Sequence, residues 1–198
     1  MADVLNAVFA EALKQFVGRE HSLVRRDVHE QAICGRLARY VEVAKDNHGL
    51  AQYYVDVKYN RHGERRKTIL NAKTGQPINI VCDLILHSRG ELEDDNLIAV
   101  EMKKADGSET DKQNDRERLQ ALTTACPEGA PSEHVCGYKV GHFLEVDVKN
   151  ASLLVEEYRA GKLIAKSALE FAAGRSPSDS ISFAKNESET RKSTRTKS

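Results

Sequence analysis

Carboxylates interrupt apolar rows at three places in this chain. In residues 96–104, NLIAVEMKK, extended-chain alternation puts Leu97, Ala99, Glu101 and Lys103 on one face and Ile98, Val100 and Met102 on the other. Glu101 therefore continues an apolar row. Residues 80–87, IVCDLILH, repeat the pattern, with Asp83 in a row formed by Val81, Ile85 and His87. The third acid is helical: at 100° per residue Glu30 falls within the stripe of Ile33, Cys34, Leu37, Tyr40, Val41 and Ala44, while Arg36, Arg39 and Glu42 take the opposite side. An isolated buried carboxylate is costly, so each of these acids needs a cation, a metal or access to water.

Convergent acids beside a lysine suit one kind of chemistry. Hydrolysis of a phosphodiester calls for charge neutralisation on the nonbridging oxygens and for a water of lowered pKa, both of which Mg²⁺ or Mn²⁺ held by a few carboxylates can supply. A neighbouring lysine orients or deprotonates that water and stabilises the transition state. On this reading Asp83 and Glu101 are metal ligands assisted by the backbone carbonyl of Met102, Lys103 lies at the water, and Glu30 acts directly or through a water. The bland alternative is a structural salt bridge at a hairpin.

These residues need elements to position them. Apolar spacing predicts a helix over 3–17, with Gly18 as its stop, and a second over 27–44. Strands are expected at 53–59, 79–87, 96–103 and 135–148, a helix at 115–124, and closing helices at 152–158 and 162–173. The loop 88–95, SRGELEDD, suits an antiparallel hairpin, and a symmetric one pairs Asp83 with residue 100 or 101. The expected fold class is α/β, a single domain built on a mixed β-sheet flanked by helices. Its organisation is an N-terminal helix and connector at 1–26, the domain proper at 27–174, and a disordered basic Ser/Thr/Lys tail at 175–198.

The order of these landmarks resembles the PD-(D/E)xK, or restriction-endonuclease-like, nuclease superfamily. Asp83 followed by Glu101-Met102-Lys103, with Glu30 on a preceding helix, carries the likeness, and a group of small bacterial members is similar at Glu30–Tyr40, Tyr59-Asn60-Arg61, Asp83–Gly90 and Asn96–Lys104. The resemblance spans roughly residues 27–145. It implies a restriction-endonuclease-like sheet, Mg²⁺ or Mn²⁺ as cofactor, and metal-dependent cleavage of DNA; DNA is favoured over RNA by this resemblance alone. Two positions depart from the pattern: Cys82 stands where proline is common, and Lys58 where an acid is expected. The tripeptide alone is weak, because Asp56-Val57-Lys58 and Asp147-Val148-Lys149 also match it.

Other features set bounds. Charged residues make up 30% of the chain but sum to zero, so the net charge favours neither nucleic acid nor membrane. Lys58, Asn60, Arg61, Arg65, Arg66 and Lys67, with Arg89 and Lys104 near the acids, suit either a phosphate-gripping surface or a solvated hairpin tip. His87 reads as a hydrogen-bonded sheet residue. The four cysteines form no CxxC pair and read as reduced, and Cys126, His134 and Cys136 lack a fourth ligand at zinc spacing. No apolar run approaches a membrane span and no secretory leader is visible, so a cytoplasmic location is expected. A noncatalytic nucleic-acid- or protein-binding module and a subunit active only in a larger assembly are the alternatives to a self-sufficient enzyme, and a homodimer would supply the two sites that a double-strand cut in one event needs.

Overall fold

The computed structural model describes residues 1–59, 61–62, 65–66, 68–70, 77–79, 81–127 and 135–172, the short pieces between 61 and 79 as backbone alone. In chain order the elements are α1 (Ala2–Arg19), α2 (His21–Arg25), α3 (Glu30–Asn47), β1 (Tyr54–Val57), β2 (Arg61–His62), β3 (Arg65–Arg66), β4 (Thr68–Leu70) and β5 (Pro77–Asn79). They continue as β6 (Leu84–His87), β7 (Asn96–Lys104), α4 (Glu109–Thr123), β8 (Val140–Asp147), β9 (Ser152–Arg159) and β10 (Lys162–Glu170).

Six strands form one mixed sheet in the order β1-β6-β7-β8-β9-β10. Every pairing is antiparallel except β7 with β8. Parallel neighbours cannot be joined by a tight turn, and the crossover between these two contains α4. Ser108 starts that helix by accepting the Asp111 N–H at 3.4 Å, and Glu109 and Asp111 place negative charge in its first turn.

Alternation along the strands sorts side chains into two layers. On one face, Leu84, Leu86, Ile98, Val100, Met102, Leu144 and Leu153 pack with Leu5, Val8, Phe9 and Phe16 of α1 and Ile33, Leu37 and Val41 of α3. On the other, Ile85, Ala99, Phe143 and Tyr158 meet Leu119 and Leu122 of α4. The α1 helix, expected as a separate segment, thus shares the main core. Gly141 permits the close approach of α4, since a Cβ there would lie 2.9 Å from Thr123 Cγ2 and 3.3 Å from Leu119 Cδ2.

The helices expected at 152–158 and 162–173 are instead strands β9 and β10. Ala160 and Gly161, with φ of 46° and 74°, turn the chain back tightly as hairpins require. Leu153 and Val155 then face the α1/α3 core, while Tyr158 faces the α4 layer. Of the strand expected at 79–87, residues 84–87 form β6 while Asn79 ends β5, and Asp83 immediately precedes β6.

The cysteine reading is corrected in part. Cys126 and Cys136 form a disulfide with Cα atoms 5.2 Å apart, whereas Cys34 and Cys82 are buried thiols outside any disulfide among the described residues. Backbone bonds from Gly137 N–H to the Thr124 carbonyl and from Tyr138 N–H to the Leu122 carbonyl bring the two sulfurs' segments together. Both sulfurs are thereby unavailable to zinc, and His134 lies outside the described residues. Among the described residues no helix is long and apolar enough to cross a membrane.

Candidate functional site

Asp83 and Glu101 meet on the α4 face of the sheet. The β6–β7 register pairs Leu84 with Val100, and its continuation sets Asp83 opposite Glu101, as the hairpin symmetry predicts. Asp83 is 5% exposed and Glu101 1%. Asp83 Oδ2 accepts the Met102 N–H at 2.7 Å, which fixes the carboxylate at the sheet, and its Oδ1 is paired with Lys58 Nζ. Glu101 Oε1 accepts from Arg118 at 2.8 Å, and the same guanidinium nitrogen reaches Asp115 Oδ1 at 2.9 Å. Lys103 Nζ stands 3.0 Å from Asp115 Oδ2 in an ion pair whose angles are not those of a hydrogen bond, and donates to the Met102 carbonyl at 3.4 Å.

Together these groups bound a cleft of about 330 Å³. The sheet side contributes Asp83, Glu101 and Lys103, with Lys58 beside them, and α4 contributes Asp111, Asn114, Asp115 and Arg118. Burial pushes the Glu101 carboxyl up to about 8; Arg118 pulls it down, while Asp83 and Asp115 push it further up. Burial disfavours charge on Lys103, but Asp115, Asp83 and Glu30 outweigh it and hold the ammonium pKa above its usual value. In this arrangement Lys103 is a fixed positive charge at neutral pH and no base. The Cys34 thiol, which donates to the Asp83 carbonyl at 3.4 Å, is pushed up to about 12 by burial and by the Asp83 charge, so it is inert.

Glu30 joins this group only at its margin. It is the first residue of α3, half-buried, and its Oε1 accepts the Lys104 N–H at 2.9 Å while Oε2 stands 3.9 Å from Lys103 Nζ. Its stripe packs on the opposite face of the sheet, so Glu30 reaches the cleft's lysine around the end of β7 and does not line the cleft.

The expected phosphate-gripping residues divide. Arg89 is held in two hydrogen bonds by Asp56, at 2.8 and 2.7 Å, and lies over the Tyr54 ring; Lys104 is paired with Asp27 at 2.7 Å. His87 is buried with Nε2 3.0 Å from Asp56 Oδ2, in the structural role expected of it. Arg61, Arg65 and Arg66 lie on β2 and β3, whose side chains are outside the description, and Asn60 and Lys67 are outside the described residues. The sequence reading missed Asp115 and Arg118. Their signal is the segment DRERLQAL, where both fall at helical spacing beside the buried Leu119 and Leu122.

Two hard oxygen donors on one polar cleft fit a water-rich Mg²⁺ or Mn²⁺ ion, which takes one or two carboxylates and keeps several waters. They do not make a closed cage: among the described residues no group of three or more His, Cys, Asp or Glu stands in metal-holding geometry. Asp83 and Glu101 instead hold the protein's own cations, Lys58 and Arg118. Compared with protein-family models, with curated proteins and with solved structures, the chain matches none of them.

Proposed function

We propose that the chain is a metal-dependent nuclease of the PD-(D/E)xK type, with a restriction-endonuclease-like fold, that hydrolyses DNA phosphodiester bonds. The observation that supports this most is the convergence of Asp83, which leads into β6, with Glu101 and Lys103 of the adjacent β7 on one polar cleft. A bound Mg²⁺ or Mn²⁺ would neutralise phosphate charge and lower the pKa of a water. Asp83 and Glu101, with the Met102 carbonyl, would hold it. Lys103 keeps its proton and offers a preorganised positive charge to the anionic transition state. Asp115 aims Lys103 into the cleft, and Glu30 steadies it from the end of β7.

One observation favours a second reading, a noncatalytic nucleic-acid- or protein-binding module of the same fold. Asp83 and Glu101 each already have a cationic partner, as carboxylates of a purely structural network would. Cleavage of labelled linear, circular, branched and single-stranded DNA, and of RNA, with Mg²⁺, Mn²⁺ or EDTA separates the two. The nuclease reading expects products that disappear in EDTA and fall by at least about 100-fold in Asp83→Ala and Lys103→Ala. Substrate retention without products, insensitive to metal and to Asp83→Ala, would establish the binding module.

A further inference from the structure

Asp83 presents two oxygens in different circumstances. Oδ2 is committed to the Met102 N–H of the neighbouring strand at 2.7 Å. Oδ1 turns to the cleft and is taken by Lys58. Lys58 gets there through an uncommon backbone: it follows β1 in the left-handed region, with φ of 53°, and its own N–H donates to the Asp83 carbonyl at 3.1 Å. A residue without a glycine's freedom adopts that conformation at a cost, and here the turn brings the ammonium back over Asp83. The lysine is thus pinned to Asp83 at its backbone and again at its side-chain tip.

The three cations of the cleft are not equally held. Arg118 bridges Glu101 and Asp115, Lys103 lies against Asp115, and their side chains are about a quarter exposed. The Lys58 side chain is 44% exposed, and Asp83 is the carboxylate it is paired with. Of the three it can swing into water with the least loss of contacts, and its departure frees an oxygen pointing into a cleft that also contains the buried Glu101.

We propose that Lys58 is the resident counter-ion of a divalent-cation site, holding Asp83 Oδ1 until Mg²⁺ or Mn²⁺ displaces it. This rests on the cation-binding reading of the cleft given above. Lys58 then opposes metal binding, the reverse of the phosphate-gripping role expected from its place in a basic run.

The test is calorimetric titration of the full chain with MnCl₂ alone, without nucleic acid, for the wild type, Lys58→Met, Lys58→Gln and Asp83→Asn, each checked for native circular dichroism. Both Lys58 variants should bind Mn²⁺ about three- to tenfold more tightly than the wild type, the effect of removing a partly exposed ion pair as competitor. Asp83→Asn should lose the binding. Saturable, Asp83-dependent binding that is unchanged or weaker in the folded Lys58 variants would overturn the counter-ion role and leave the metal site standing. No saturable binding in the wild type or in either Lys58 variant would overturn the metal site itself.

Discussion

Glu156 offers a test of the structure that does not depend on function. It lies on β9 with none of its surface exposed, yet it is charged. Arg116 Nε reaches its Oε2 at 2.9 Å, the Tyr158 hydroxyl donates to the same oxygen at 2.7 Å, and Lys166 Nζ stands 2.8 Å from Oε1. Burial alone would raise the carboxyl pKa; the bonds from Arg116, Lys166 and Tyr158 outweigh it and hold the value at about 2, against an ordinary 4.5. At about 1.4 kcal/mol for each pH unit, that depression amounts to about 3 kcal/mol. Because the folded-state pKa is lowered, the contribution is complete above the unfolded value and is lost as pH falls from about 4.5 towards 2. Glu156→Gln keeps the shape and removes the charge. Urea unfolding should find the variant about 3 kcal/mol less stable at pH 7, the gap narrowing steadily at pH 4 and pH 3. Lys166, whose side chain is more than half exposed, supplies the smaller share. A variant within about 0.5 kcal/mol of the wild type at pH 7, or a gap that does not move with pH, would refute the account of the network.

Two further predictions concern how α4 is held. Replacing Cys126 and Cys136 together by alanine should cost about 3 kcal/mol by the chain-entropy relation for a loop of this size, read from urea midpoints. Thiol titration of the unfolded wild type should give two reactive sulfurs without reductant and four with it. Gly141→Ala pushes a methyl group against Thr123 and Leu119, and should cost about 1–3 kcal/mol in the same assay. If cleavage is found, it should fall further than that stability loss accounts for, because Asp115 and Arg118 move with the helix; full activity in a folded Gly141→Ala protein would mean that α4 does not set the cleft.

Legibility in the sequence followed the locality of the signal. Glu101 and Asp83 could be placed because two-residue alternation fixes the face and a symmetric hairpin loop fixes the register, and both depend only on neighbouring residues. The pairing of Leu84 with Val100 bears this out. Glu30 was harder, since a helical stripe reports one face of a helix but not which face of the sheet it will cover. Its stripe packs opposite the cleft, and the carboxylate reaches Lys103 only because it sits at the helix start. The segments 152–158 and 162–173 misled because their clustered apolar residues suit either period; the deciding feature is the Ala160–Gly161 turn, whose geometry serves a hairpin. The Cys126–Cys136 bond was not legible either, because it depends on contacts between the end of α4 and the approach to β8.

The parallel pairing of β7 with β8 accounts for what the sequence left out. Such a pair needs a crossover, and α4, with Leu119 and Leu122 as its apolar footing, lands on the face that Asp83 and Glu101 occupy. A helix bearing only apolar residues there would have sealed two acids in a dry layer at high cost. Asp115 and Arg118, one helical turn apart, solve that problem: the guanidinium meets Glu101, and the carboxylate holds both it and Lys103. The same crossover that completes the sheet thereby sets the charge balance of the cleft. Among the described residues Lys58, from outside the crossover, is left as the cleft's most exposed cation.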